Sequence, residues 1–145
     1  MSESLSLLHE AELITRWGDM DALGHVNNAV YFTYLEQVRV DWLAELGASG
    51  ALSRKAASGP VVVTAGCRFL RPVVHPARLR VSMYGGPPGR SSFATRYEIR
   101  DADHPDCLHT TGEAQVVWVS LAGGKSTALP DAVRARLPAP DPGAG

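Results

Sequence analysis

One stretch limits the folds open to this chain more than any other. In "NAVYFTYLEQVRVDWLAEL" (28–46), Tyr31, Tyr34, Leu35, Val38, Trp42 and Leu46 recur at three- and four-residue steps. That spacing puts them on one face of a helix of about five turns. Thr33, Gln37 and Asp41 fall on another face, Asn27 or Asn28 suits the N-cap, and Gly47 suits the stop. After this segment every strong pattern is strand-like. Pro60 to Leu70 contains "VVVT". Leu79, Val81 and Met83 alternate with Arg78, Arg80 and Ser82, and Phe93, Thr95, Tyr97 and Ile99 with Arg96, Glu98 and Arg100. Residues 107–121 read as a long last strand, and "AELITRW" (11–17) as a first one. "GASGALSRKAASG" (47–59) reads as a loop, and "GGPPG" (85–89) and "DADHPD" (101–106) as short turns that imply antiparallel pairing.

A five-turn apolar face and an antiparallel sheet must each bury one side. The economical solution is an α+β fold in which one curved sheet wraps one helix. Its long first and last strands are expected to leave pairing edges exposed, so dimerisation through a sheet edge is expected. The 145 residues suit one domain, read here as 1–125. In the tail, 126–145, a short helix is expected around Asp131 to Leu137, and "PAPDPGAG" is expected to be disordered.

With 45% hydrophobic residues a packed core is feasible, and a formal net charge of −1 argues against a surface given over to nucleic acid. No apolar run is long enough to span a bilayer, and the N-terminus lacks the features of a signal peptide. Cys67 and Cys107 lack metal-ligand spacing. Two free thiols fit a cytoplasmic protein.

"RWGDMDALGHVNNAVYF" (16–32) carries the densest chemistry, at the junction of the first strand and the helix. A helix N-terminus presents unpaired N–H groups and a partial positive charge, suited to a developing oxyanion. Asp19 and Asp21 offer carboxylates in different surroundings. Gly24 permits a sharp turn. His25 can exchange hydrogen bonds near neutral pH, and Asn27 and Asn28 can cap the helix or orient a carbonyl or a water. The same residues also fit a plain capped helix start.

The run "GDMDALGHVNN" followed by "AVYFTYLEQVRVDWL" resembles the opening of hot-dog fold thioesterases of the 4-hydroxybenzoyl-CoA thioesterase type. The segment order is similar over roughly residues 10–121, including "FLRPV" (69–73). The resemblance implies a long helix wrapped by an antiparallel sheet, sites at a dimer interface, and hydrolysis of an acyl-CoA to free acid and CoA. Asp21 matches the catalytic carboxylate, as nucleophile or general base. Asn28 matches the first-turn position whose backbone N–H polarises the thioester oxygen. Gly24 matches the turn glycine, and His25 and Asn27 belong to the branch with "GHVNN", as a contact to the carboxylate or thioester and as a cap. Asp19 is structural. "GRSSF" (89–93) resembles the family's basic segment for the nucleotide, reduced here to Arg90. Arg68 and Arg71 are further candidates for the CoA phosphates, and Tyr31 for the acyl pocket.

No metal or resident cofactor is implied, CoA being part of the substrate. The expected partners are acyl-CoA and further copies of the chain, as a homodimer or homotetramer, with no nucleic acid and no membrane. Two rivals are a hot-dog dehydratase or hydratase and a non-catalytic acyl-thioester-binding protein. Glu36 is an outside candidate for a second carboxylate. His75, His104 and His109 read as surface or loop histidines.

Overall fold

The computed structural model describes residues 4–47 and 56–139. Residues 48–55 of the expected loop and 140–145 of the expected disordered end lie outside them. The elements run β1 (Ser6–Ile14), a 3-10 turn (Trp17–Asp19), α1 (Asn28–Glu45), β2 (Ser58–Phe69), β3 (Arg78–Gly85), β4 (Ser92–Asp101), β5 (Leu108–Ser120) and α2 (Asp131–Arg134). The five strands form one antiparallel sheet in the order β1-β3-β4-β5-β2. The fold is α+β, with one 18-residue helix against the sheet.

Strand alternation determines which face the helix covers. Leu79, Val81 and Met83, then Phe93, Thr95, Tyr97 and Ile99, then Ala114, Val116 and Trp118 are all buried. Tyr31, Tyr34, Leu35, Val38, Trp42 and Leu43 of α1 close the other side. Burying each large side chain of this kind stabilises the fold by about 1.5–3 kcal/mol. Trp42 meets Phe93 edge-on at 5.9 Å between ring centroids. One polar relay crosses the layer: Arg39 Nη1 donates to Tyr97 Oη (3.0 Å), which lies 2.8 Å from Thr95 Oγ1, and Thr95 Oγ1 donates to the Ala114 carbonyl (2.8 Å). It fixes the helix register without leaving these groups unpaired.

The expected edges are half corrected. β1 is an edge, but β5 lies between β4 and β2, and β2 is the second edge. The chain crosses along α1 before β2, which then pairs with β5 from Ser58↔Ser120 to Phe69↔Thr110. The two edges differ in character. β1 carries Glu10 and Glu12, charges that discourage strand addition, whereas β2 is uncharged from Ser58 to Cys67 and exposes Val61, Val62 and Val63.

The segment after β5 packs on the domain. Ser126 bridges Val119, Thr127 N–H donates to the Trp118 carbonyl (2.9 Å), and Leu129, Val133 and Leu137 are buried in the same core. The helix in this segment is a single turn.

Candidate active site

The chain leaves β1 and turns through Trp17–Asp19 into a small hairpin. Met20 bridges Val26, Asp21 N–H donates to the His25 carbonyl (2.9 Å), and Gly24 N–H donates to the Asp21 carbonyl (3.0 Å). Gly24 sits at φ +82°, the left-handed conformation that closes a three-residue hairpin loop and that only glycine adopts without strain. Asn27 N–H then donates to the Asp19 carbonyl (2.9 Å), and the helix begins. Asp21 and His25 are therefore cross-strand neighbours at the hairpin tip, and Asp19 and Asn27 at its base.

Two contacts hold this hairpin on the body of the domain. Val26 N–H donates to the Val73 carbonyl (2.9 Å), and Val73 N–H donates to Tyr31 Oη (3.2 Å). Both polar groups of Val73, in the connection after β2, are thus spent on the hairpin and the first helical turn. Thr15 is tied to the same connection through Ala77 and His75 Nδ1 (2.8 Å). The sequence marked "FLRPV" as matching but gave no signal that Val73 anchors the site.

The two acids have different fates. Asp19 Oδ2 accepts from Arg16 N–H (3.0 Å) and from Tyr34 Oη (2.7 Å). Burial, and then the Asp19 carboxylate, push the Tyr34 phenol well above its ordinary range. Asp19 is engaged in folding the turn. Asp21 Oδ1 accepts only Leu23 N–H (2.9 Å), a local turn bond, and its side chain is exposed. Its other oxygen has no partner among the described residues.

The helix start is equally selective. The Asn27 side chain accepts from Ala29 N–H (3.0 Å), so Asn27 is the cap, and its carbonyl accepts from Val30 N–H (2.9 Å). The Asn28 N–H is left without a partner among the described residues, at the positive end of an 18-residue helix. A carboxylate with a single local bond, at the hairpin tip, and an unspent donor, just past the hairpin base, therefore lie on one exposed segment. His25 is exposed too, and its ring makes no hydrogen bond to Asp21 or to any other described residue.

The remaining candidates are dispersed. Tyr31 is buried, its ring 4.9 Å from that of Phe69. Arg68 stands level with Thr111 and Glu98 on the face of the sheet away from α1, on a cavity of about 800 Å³ also lined by Tyr84 and Arg96. Arg71 lines a second hollow with Asp103 and Cys107. Arg90 is exposed between β3 and β4. Neither cavity includes Asp21 or Asn28. Glu36 is exposed on the helix. His109 is a correction: it lies within β5, 8% exposed, with Nδ1 3.2 Å from the Arg71 carbonyl, because it is the extra residue of a β-bulge in β5, between the pairs Ile99↔Thr110 and Arg100↔Leu108, and so escapes the strand's alternation.

The family described as the thioesterase-like superfamily matches residues 15–137, from the end of β1 through α2. This chain belongs to that superfamily. Among similar solved structures, the PA2801 protein of Pseudomonas aeruginosa, assigned as a thioesterase, is 44% identical, with a TM-score of 0.85 covering 90% of this chain and 98% of its own. A Xanthomonas campestris protein assigned as an acyl-CoA thioesterase is 32% identical, with a TM-score of 0.73 over 86% of this chain and 100% of its own. The Bacillus subtilis (strain 168) protein YsmA is 29% identical over 116 residues, 80% of this chain and 76% of that protein. As a member of the superfamily, this chain is a thioester hydrolase of hot-dog fold. No helix among the described residues is long and apolar enough to cross a membrane.

Proposed function

We propose that this protein hydrolyses an acyl-CoA, with Asp21 as the reacting carboxylate and the Asn28 N–H as the donor to the thioester oxygen. The observation that supports this is that the one exposed hairpin and helix start leave these two groups available, while the neighbouring Ala29 and Val30 N–H groups and the Asp19 carboxylate are already engaged. A thioester needs little more, since its thiolate is a good leaving group. Asp21 can attack the carbonyl carbon, releasing CoA thiolate and leaving an anhydride that water opens. It can equally take a proton from water as the water oxygen attacks and the C–S bond breaks. The N–H stabilises the same oxyanion on both routes. Arg90 contributes to holding the nucleotide of CoA, and Tyr31 to bounding the acyl site.

The junction is exposed in one protomer, and a second copy closes it. The partner adds along β2, the uncharged edge with three exposed valines. Light scattering on the wild type is expected to give a dimer or a dimer of dimers. Val62→Lys is expected to shift it towards monomer, with activity falling in step.

The direct test is thiol release from a panel of short, long and aromatic acyl-CoAs. Free CoA and free acid should appear in equal amounts. In a rapid quench, thiol ahead of acid marks the anhydride route, and simultaneous release marks attack by water. Tight acyl-CoA binding without thiol release, or hydration of an enoyl thioester instead, would overturn the proposal.

A further inference from the structure

The segment after β5 reaches the loop that carries Arg90. Arg134 Nη2 donates to the carbonyl of Gly89 (2.9 Å) and to that of Arg90 (3.0 Å). Those carbonyls belong to the peptide units before and after the Arg90 α-carbon, so one guanidinium restrains both planes and with them both dihedrals of Arg90. Leu129 N–H also donates to the Arg90 carbonyl (2.9 Å), giving that oxygen two donors. The loop is fixed on its other side as well. Gly89 N–H donates to Ser92 O (2.8 Å), and Trp118 N–H donates to Ser91 O (2.7 Å).

The clamp itself is anchored. Val133, beside Arg134, is fully buried, and Leu129 and Leu137 are buried to either side. Leu137 and Leu8 both press on Gly85 at the end of β3, where an added Cβ would lie 2.7 Å from each. This packing fixes the backbone that carries Arg134, and its planar guanidinium makes both bonds from one nitrogen. Its target is what makes the arrangement informative. In this chain the segment before β4 offers a single basic side chain, Arg90, and a lone cation must be aimed where several could share the task.

We infer that Arg134 is a positioning residue that aims Arg90 at the phosphates of CoA, so that the C-terminal segment sets affinity for the nucleotide half of the substrate. The inference rests on the proposed contact between Arg90 and the nucleotide. It concerns recognition alone, since Arg134 does not reach the hairpin that carries the chemistry.

The test measures CoA binding by calorimetry in the wild type, Arg134→Ala, Arg134→Lys, Arg90→Ala and the double alanine variant. Arg134→Ala and Arg90→Ala should each weaken CoA by about five- to tenfold, the scale of one charge-assisted contact. The double variant should be no weaker than Arg90→Ala alone, because Arg134 acts through Arg90. Arg134→Lys, whose ammonium can serve one of the two carbonyls, should fall between. For an acyl-CoA that the enzyme hydrolyses, KM should rise in parallel with kcat unchanged, and KM for the matching acyl-pantetheine thioester should stay put. Melting curves check that the variants fold, and the lysine variant keeps the test open if the alanine variant does not. Wild-type CoA binding in Arg134→Ala overturns the clamp, as does an additive loss in the double variant or an equal loss on both thioesters. No loss in Arg90→Ala removes the nucleotide contact and the clamp together, and leaves the roles of Asp21 and Asn28 to the thiol-release assay.

Discussion

Two turns of this protein look alike in sequence. "GDMDALGHVN" (18–27) and "RDADHPDCLH" (100–109) each hold an Asp-x-Asp pair followed by a histidine, and each reverses the chain. In the second turn every acid of the pair is engaged. Asp101 Oδ1 accepts the N–H groups of Asp103 (2.8 Å) and His104 (3.0 Å), and the Asp103 carboxylate meets Arg78. The bond from the Asp103 backbone, chief among these, holds the Asp101 carboxyl below its ordinary range. The chain then enters β5, where backbone donors go to neighbouring strands. In the first turn Asp19 likewise accepts two donors, one of them the Tyr34 hydroxyl, but Asp21 accepts only the local Leu23 N–H, and the chain enters a helix. A helix cannot satisfy its first N–H groups from within. The element that the chain enters after the turn, more than the acids in it, separates a structural corner from a candidate site.

Substitutions can break that comparison. The largest effect belongs to Asp21→Asn, which should lower kcat by about 10²–10⁴-fold with an unchanged melting temperature. The matching Asp101→Asn should leave kcat alone, and a reversed outcome would place the chemistry in the wrong turn. Next comes Asn28→Pro. Proline is favoured at the first helical position and Asn27 already has the extended backbone (φ −63°, ψ 137°) that a following proline requires, so the helix should persist while the donor is lost. A fall in kcat of about 10²-fold is expected, against near wild-type activity for Asn28→Ala. If the proline variant is fully active and helical, the N–H is not the oxyanion donor.

Smaller effects sharpen the contrast between capping and catalysis. Asn27→Ala removes the cap and should cost about 1 kcal/mol of stability, read as a melting temperature lower by about 3–5 °C, with kcat moved far less. Smallest is the stability effect of Asp101→Asn, about 1–2 °C at neutral pH, because the turn is solvated. Its pH dependence has a definite sign. The folded carboxyl titrates below its ordinary value of 3.8, so its stabilisation is present above that pH and is lost as pH falls through the folded value. The two melting curves should converge at the acid end, and a gap that widens there would contradict the turn bonds.

Much of the candidate site was legible because it is local. The helix, its Asn27 cap, the Gly24 turn and the apolar face from Tyr31 to Trp42 come from spacing within one stretch. The structural engagement of Asp19 was readable only as a preference, since the Tyr34 hydroxyl that engages it lies fifteen residues away. The anchoring by Val73, the burial of His109 at a β-bulge and the grip of Arg134 on the Arg90 loop had no local signal at all. Each joins segments far apart in the chain.

By itself, then, the sequence determined periodicities: one five-turn helix, alternating strands, short antiparallel turns and a chemistry-rich helix start, all products of side-chain spacing against a regular backbone. Tertiary structure alone determined strand order and the fate of individual polar groups. It put β2 rather than β5 at the edge, because the crossover along α1 delivers β2 to the far side of the last strand. It also gave Asp19 a donor from fifteen residues away and left Asp21 with a local one alone. Which donors and acceptors remain unspent depends on every group that packing brings within reach, and no pattern along the chain encodes that.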